Sequence, residues 1–156
     1  MQRPPIYAFS GMFGPDLTCR VVEAVRKSVA AAKKLCFTTD TWTEGNTTKA
    51  FIGVSAHSID KHWHRKFAVL NCEVFNGRHT SDMIALKFDS MLEDWNIPKE
   101  SYQVVLRDNA LNTVRAFQQI AIPSLGCALH TLHLAIHYYI FDQRVVSDAL
   151  AVCVVV

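Results

Sequence analysis

Charged side chains are scarce in this sequence. Lys, Arg, Asp and Glu make up 19% of its 156 residues, whereas half of the residues are hydrophobic. A chain with this balance can bury a hydrophobic core, which argues against an intrinsically disordered protein. The net charge of +2 is too small to indicate nucleic-acid binding by itself. The length is that of one domain.

Paired cysteine spacings, a leader segment and internal repeats are also lacking. The five cysteines are scattered, which predicts reduced thiols in the cytosol or the nucleus. No basic segment followed by an apolar run opens the chain, so we expect no signal peptide. The uncharged stretch 117–141 is long enough for a membrane span. It contains two glutamines, a proline and three histidines, so we predict buried strand and helix and no membrane association.

Hydrophobic periodicity and turn residues predict the order of the elements. The predicted strands are 35–42, 50–59, 63–74, 102–108 and 125–128, and the predicted helices start at 16, 80 or 81, 112 and 130. The order βββαβαβα after a leading helix predicts an α/β fold with a mixed sheet covered on both faces. Ribonuclease H-like folds use this order, and their first and fourth strands are neighbours.

Two aspartates follow hydrophobic runs at corresponding places in this order. Asp40 emerges from the first predicted strand and Asp108 ends the fourth. Carboxylates brought together repel each other unless a divalent cation lies between them. The pattern therefore predicts that Asp40 and Asp108 are catalytic residues and ligands of Mg²⁺ in two-metal phosphoryl transfer. The alternative is that each one caps backbone amides nearby.

Three further residues have side chains suited either to a binding role or to packing. Trp42 follows the first of these aspartates by two residues and therefore faces the same side of the strand, where it could stack on an extruded base or simply pack. Cys127 and His130 form a Cys-x-x-His motif, with His133 and His137 at helical spacing after it. Cysteine and histidine suit zinc. Helix packing explains this spacing better, so we do not expect Zn²⁺ in this chain.

A small basic cluster occupies the predicted turn between the second and third strands. Residues 61–66 read Lys-His-Trp-His-Arg-Lys. Such a hairpin can contact phosphates. An exposed polar turn without a binding function is the alternative.

Four of these segments, in this order, resemble the hAT family of transposases, and especially the domesticated BED-type zinc-finger proteins derived from them. The segments are Thr-Thr-Asp-Thr-Trp at 38–42, Ser-Ala-His-Ser-Ile-Asp at 55–60, Asp-Asn-Ala at 108–110 and Cys-Ala-Leu-His-Thr-Leu-His-Leu at 127–134. The resemblance implies a ribonuclease H-like fold in which Asp40 and Asp108 match the first two acids of a DDE triad with Mg²⁺ or Mn²⁺. It also implies that Cys127 and His130 position DNA or the catalytic strands.

The family's third acid, a glutamate, follows a helical insertion after the last predicted helix, and nothing in this sequence matches it. We therefore expect an irregular segment at 1–15, a partial ribonuclease H-like domain at 16–141, and the start of the insertion or a tail at 142–156. The expected protein is a fragment of a domesticated, transposase-like nuclear protein. It would associate with DNA, lack catalytic activity and form homo-oligomers through regions absent here. An active full-length transposase and a small zinc-binding module are the alternatives.

Overall fold

A computed structural model describes residues 15–45, 49–75, 77–146 and 148. The contacts within the chain divide it into two units, Met1–Leu125 and Gly126–Val156. This boundary lies earlier than the one predicted after residue 141. Residues 1–14 of the predicted irregular segment lie outside the described residues. Residues 149–156 of the predicted tail also lie outside them, as do Asn46 and Asn76, which belong to two predicted turns.

The described elements follow the predicted order. They are α1 (Pro15–Ala30), β1 (Leu35–Thr43), β2 (Ala50–Ile59), β3 (Arg65–Val74), α2 (Ser81–Glu93), β4 (Tyr102–Arg107), α3 (Leu111–Gln119), β5 (Ser124–Gly126) and α4 (Ala128–Ile136). A π-helical turn, His137–Phe141, follows α4. Thr80 caps α2 as predicted, because its side chain accepts a hydrogen bond from the amide of Met83. α1 starts at Pro15, one residue before the predicted start, and Asp16 lies in its first turn.

The five strands form one mixed sheet in the order β3-β2-β1-β4-β5. The β1–β2 and β2–β3 pairs are antiparallel, and β1 and β4 are parallel. Because parallel strands need a crossover connection, the path from β3 to β4 runs through α2. The predicted α/β fold is confirmed, and the first and fourth strands are neighbours.

One face of the sheet packs against helices. Alternate residues of β1 and β2 point to this face and are buried, as expected for a strand period of two. At the centre, the ring of Phe88 from α2 meets Phe37 of β1 edge-on at 6.1 Å and Phe117 of α3 at 4.9 Å. The apolar residues of α2 on this face are buried, and so is Trp95 just after the helix: Ile84, Phe88, Met91, Leu92 and Trp95.

The opposite face of the sheet is not covered as predicted. Phe67 and Val69 of β3 are 66% and 55% exposed there, and Leu106 of β4 is 37% exposed. The prediction of a sheet buried on both faces is therefore wrong for the described residues. This open face of the sheet is the one on which Asp40 lies.

Two helices are less buried than their sequences predict. In α1, Val29 is buried, but Leu17 and Val21 are 44% and 50% exposed, so only the C-terminal part of the apolar stripe is buried. The second unit contains α4, in which no residue is buried, and the prediction of a buried helix there is wrong. None of the described helices has the length and apolarity that crossing a membrane requires.

Candidate functional site

The strands that lead to the two predicted acids, β1 and β4, pair with each other. The last paired residues are Thr38 and Leu106. Asp40 and Asp108 each lie two residues beyond this pair, Asp40 on the open face of the sheet and Asp108 just after β4 ends. The predicted parallel pairing of the strands that lead to the two acids is confirmed, while the adjacency of their carboxylates and their catalytic and metal-binding roles stay predictions.

Asp40 lies within β1 and does not end it. β1 continues to Thr43 and stays paired with β2 over this stretch, with Asp40 opposite Gly53. Its pairing with β4 ends at Thr38. Asp40 therefore lies where β1 and β4 separate, on a backbone that β2 still holds in place, and its carboxylate is exposed.

Both carboxylates also accept hydrogen bonds from backbone amides. Asp40 Oδ1 accepts from the amide of Thr41 at 3.0 Å, and Asp108 Oδ1 accepts from the amide of Ala110 at 3.1 Å, directly before α3. The amide-capping alternative is thus realised in the structure. Among the described residues, no hydrogen bond or ion pair engages the second oxygen of either carboxylate, so this oxygen can take a further partner.

The donor set of this acid pair fits a hard cation. Mg²⁺ prefers oxygen ligands and is held by one or two carboxylates together with water and substrate phosphates. Asp40 and Asp108 would supply two such carboxylates from a rigid pair of strands. The described residues contain no group of three or more His, Cys, Asp or Glu side chains arranged to hold a metal ion. A cation here would therefore need ligands besides these groups, such as a phosphate.

Trp42 lies beside the acid pair and combines the two predicted roles. Its ring stacks on Phe51 of β2, with centroids 5.6 Å apart and planes 17° apart. The indole extends over Gly53, where an added Cβ would come within 3.3 Å of a ring carbon. Trp42 nevertheless stays 42% exposed. One side of the indole therefore packs against the protein, as in the packing alternative. The exposed part of the indole remains available to stack on a base.

Sequence reasoning missed Phe51, Gly53 and Arg107 at this site. Gly53 had a signal, since an isolated glycine inside a strand often marks a close approach of another group. Arg107 donates a hydrogen bond to Ser124 of β5 at 3.1 Å and another to the carbonyl oxygen of Asp108 at 2.8 Å. These bonds fix the backbone at the point where β4 ends, which orients Asp108.

Further along the open face, a histidine lies next to the first strand. Thr38 Oγ1 and His57 Nε2 are 3.2 Å apart and share a hydrogen bond. Burial lowers the pKa of His57 below its usual value, and the charge of Arg65 lowers it further. The neutral imidazole is therefore favoured, which suits its stacking on Phe67 at 6.3 Å.

Cys127 and His130 belong to the second unit and form a helix start. The carbonyl oxygen of Cys127 accepts hydrogen bonds from the amide and the hydroxyl of Thr131, both at 3.1 Å. Cys127 is half-buried and His130 is exposed. The rings of His133 and His137 lie 4.7 Å apart. The role of Cys127 and His130 in positioning DNA stays a prediction.

Comparison with known families adds one finding to this geometry. A model of the ZBED1 RNase-like domain matches residues 38–125, which is more than half of the chain. The match contains Asp40, Trp42 and Asp108, and it ends before Cys127 and His130. Together with the mixed five-stranded sheet, it bears out the predicted ribonuclease-like fold class. A search of curated proteins found no match for this chain.

Proposed function

This chain belongs to the family of ZBED1 RNase-like domains and is transposase-derived, and from this premise we propose that it associates with DNA in the nucleus. Its DNA contact would be the end of the sheet that carries Asp40, Trp42 and Asp108. In this proposal, the acid pair holds Mg²⁺ or Mn²⁺ against a phosphate of the DNA backbone. The chain binds DNA without cutting or joining it.

The observation that carries this proposal is the parallel pairing of β1 with β4, which ends two residues before each of the two acids. Two carboxylates that such a pairing brings close repel each other in water and gain a common partner when a cation is present. Trp42 beside them offers the exposed part of an indole to an unpaired base. A phosphate and a base are adjacent groups in one nucleotide, so one strand of DNA can engage both features.

Cleavage makes a larger demand on the site than binding does. Two-metal phosphoryl transfer needs two ions about 4 Å apart, held so that both the attacking and the leaving oxygen are stabilised. The described residues contain no third acid that joins Asp40 and Asp108 in a metal-binding group. Two carboxylates support one shared cation better than an arranged pair of ions. We therefore propose a non-catalytic role.

The experiment measures Mn²⁺ binding, DNA binding and DNA cleavage for the full chain and for Asp40→Asn and Asp108→Asn. The matched control is Asp94→Asn, which changes an exposed aspartate at the end of α2. We expect each site variant to weaken Mn²⁺ binding by at least about tenfold, or about 1.4 kcal/mol. Asp94→Asn should leave it unchanged. The Mn²⁺-dependent part of DNA binding should fall in parallel, and plasmid and hairpin DNA should stay intact.

Two outcomes would contradict parts of this proposal. Site variants that bind Mn²⁺ and DNA as the original chain does would refute the acid pair as a cation site and leave amide capping as its role. Cleavage that Asp40→Asn abolishes would refute the non-catalytic role. It would favour the active DDE-type transposase, the second candidate, which the parallel pairing of β1 with β4 also supports.

The remaining parts of the proposal concern Cys127, His130 and homo-oligomers. Cys127 and His130 are proposed to contact DNA from the start of α4, as the resemblance to hAT proteins implies. The zinc-binding module gains no support from the described geometry, because His130, His133 and His137 do not form a ligand group with Cys127. Homo-oligomers through regions outside this sequence remain part of the proposal.

A further inference from the structure

A groove rich in lysine and arginine lies at the other end of the sheet from the acid pair. It has a volume of about 910 Å³ and is bounded by the end of α1, the start of β1 and the β2–β3 hairpin. We call it the basic groove. Its charged lining consists of Lys33, Lys34, Lys61, Arg65, Lys66 and Asp60.

The charge of the basic groove exceeds that of the whole chain. Five cations and one carboxylate give it a formal charge of +4, against +2 for all 156 residues. The carboxylate of Asp60 is already engaged, since it accepts from the amides of His62 and His64 at 2.8 and 3.0 Å and lies 3.7 Å from Lys66 Nζ. Lys34 Nζ donates to the carbonyl oxygen of Glu100 at 2.9 Å but keeps its charge. The lining of the groove is therefore more positive than the chain as a whole, which is the footprint expected for a polyanion.

A tryptophan stands at the mouth of the basic groove. Trp63 is 86% exposed, the largest exposed fraction among the large hydrophobic residues that the structure describes. Its backbone has φ of 65°, the left-handed region that bulky residues rarely adopt. Asp60 enforces this turn, because its carbonyl oxygen accepts from the amide of Trp63 at 3.0 Å. Glycine or asparagine would suit the position better, so the tryptophan indicates a function.

We propose that the basic groove binds single-stranded DNA, with its cations on the phosphates and Trp63 stacked on a base. Nonspecific binding of single strands combines a positive groove with exposed aromatic rings in this way. An acidic protein segment would use the cations but gives no reason for a strained, exposed indole. The proposal rests on the DNA association proposed above and uses different side chains.

The basic groove and the acid pair are placed to act on one strand. Cys36 and His57 line the groove and lie on the same open face as Asp40. Asp40 lies four positions after Cys36 along β1, roughly 13 Å at a rise of about 3.3 Å per residue. Sites for single strands span about 4–16 nucleotides. A strand held in the groove can therefore reach the acid pair along the open face.

The test measures binding of the full chain to a fluorescein-labelled oligothymidylate of about 15 nucleotides, over a series of salt concentrations. Trp63→Asn removes the ring but suits the left-handed backbone, so the hairpin keeps its fold, which circular dichroism and thermal melting verify. We expect this variant to bind about five- to a hundredfold more weakly, the range for loss of one stacked base. Trp63→Phe should retain part of the affinity.

The lysines are tested through the salt dependence. On single strands, each neutralised phosphate contributes about 0.7 to the slope of log K against log salt concentration. The double variant Lys33→Gln/Lys61→Gln should lower the slope by about 1.4. The matched control is Lys27→Gln/Lys99→Gln, which removes two exposed lysines outside the groove and should leave the slope unchanged.

Each remaining outcome overturns a defined part of the reasoning. If Asp40→Asn weakens DNA binding but the groove variants do not, the basic groove proposal fails and the proposed function stands. If the chain binds no DNA at all, both fail. If polyglutamate competes as well as oligothymidylate and Trp63→Asn changes neither affinity, the groove serves an acidic protein segment and the DNA assignment is overturned.

Discussion

Removing the buried hydrogen bond between Asn71 and Trp95 should destabilise the protein by several kcal/mol. Trp95 Nε1 donates to Asn71 Oδ1 at 2.6 Å, and the two residues are only 4% and 2% exposed. Asn71 Nδ2 in turn donates to Glu73 at 2.8 Å, and Glu73 pairs with Lys87 of α2. This network joins β3 to α2 on the core face of the sheet.

The cost of Asn71→Leu follows from the groups it leaves behind. The indole N–H of Trp95 would stay buried without an acceptor, which costs about 1–3 kcal/mol. Glu73 would lose one donor but keep Lys87, and because both are about a third exposed this adds no more than about 1 kcal/mol. We expect a total of roughly 2–3 kcal/mol. With a urea m-value near 2 kcal/mol per M, the unfolding midpoint should fall by about 1 M or more.

A double-mutant cycle separates the hydrogen bond from packing. Trp95→Phe removes the donor and leaves Asn71 Oδ1 buried without a partner, while also creating a cavity. In the double variant Asn71→Leu/Trp95→Phe, neither orphaned group remains. Its loss of stability should therefore be smaller than the sum of the two single losses by about 1–3 kcal/mol.

Urea unfolding followed by far-ultraviolet circular dichroism measures these differences without relying on tryptophan fluorescence. The matched control is Gln103→Leu, an amide-to-leucine change at an exposed position of β4, which should alter stability by less than about 0.5 kcal/mol. If the double variant loses as much as the two singles together, the bond contributes nothing and the reasoning fails. The reasoning also fails if Asn71→Leu has the same urea unfolding midpoint as the original chain.

Two further predictions concern the open face of the sheet. Gly53→Ala should push the Trp42 ring away from Phe51, because the new Cβ would lie 3.3 Å from a ring carbon. We expect urea unfolding to show a loss of stability of about 1 kcal/mol. A crystal structure of this variant with Trp42 in its original place would contradict the prediction. The pKa of His57 lies below its usual 6.5, so the unfolded chain binds this proton more readily and stability should fall as pH drops below 6.5. His57→Gln should flatten that dependence of the urea midpoint on pH, and an unchanged profile would assign it to other groups.

The order and type of the elements were predictable because they depend on local patterns. The apolar face of α2 repeats with the helical period, and the predicted bounds of β2, residues 50 and 59, are those of the structure. The parallel pairing of β1 with β4 followed from the predicted strand order. The predicted start of β3 at residue 63 is wrong, since β3 begins at Arg65. The left-handed backbone of Trp63 cannot continue a strand.

The sequence by itself determined the fold class and the two acids. Alternation of apolar residues marks each strand, and the connection lengths leave few topologies in which such strands pair. Local patterns could not reveal the β-bulge in β3, where Val54 pairs with Asn71 and Ser55 with Val69. The extra residue, Leu70, lets two consecutive side chains face the core, which turns Asn71 toward Trp95.

Only the tertiary structure decided which charges come together. The lysines after α1 and those of the β2–β3 hairpin are nearly thirty residues apart, so no local pattern links them, and the net charge of +2 gave no sign of the basic groove. Sheet pairing sets Cys36 opposite His57 and so joins the two segments. Electrostatic potential depends on distance in space, and distance between remote segments is what folding fixes.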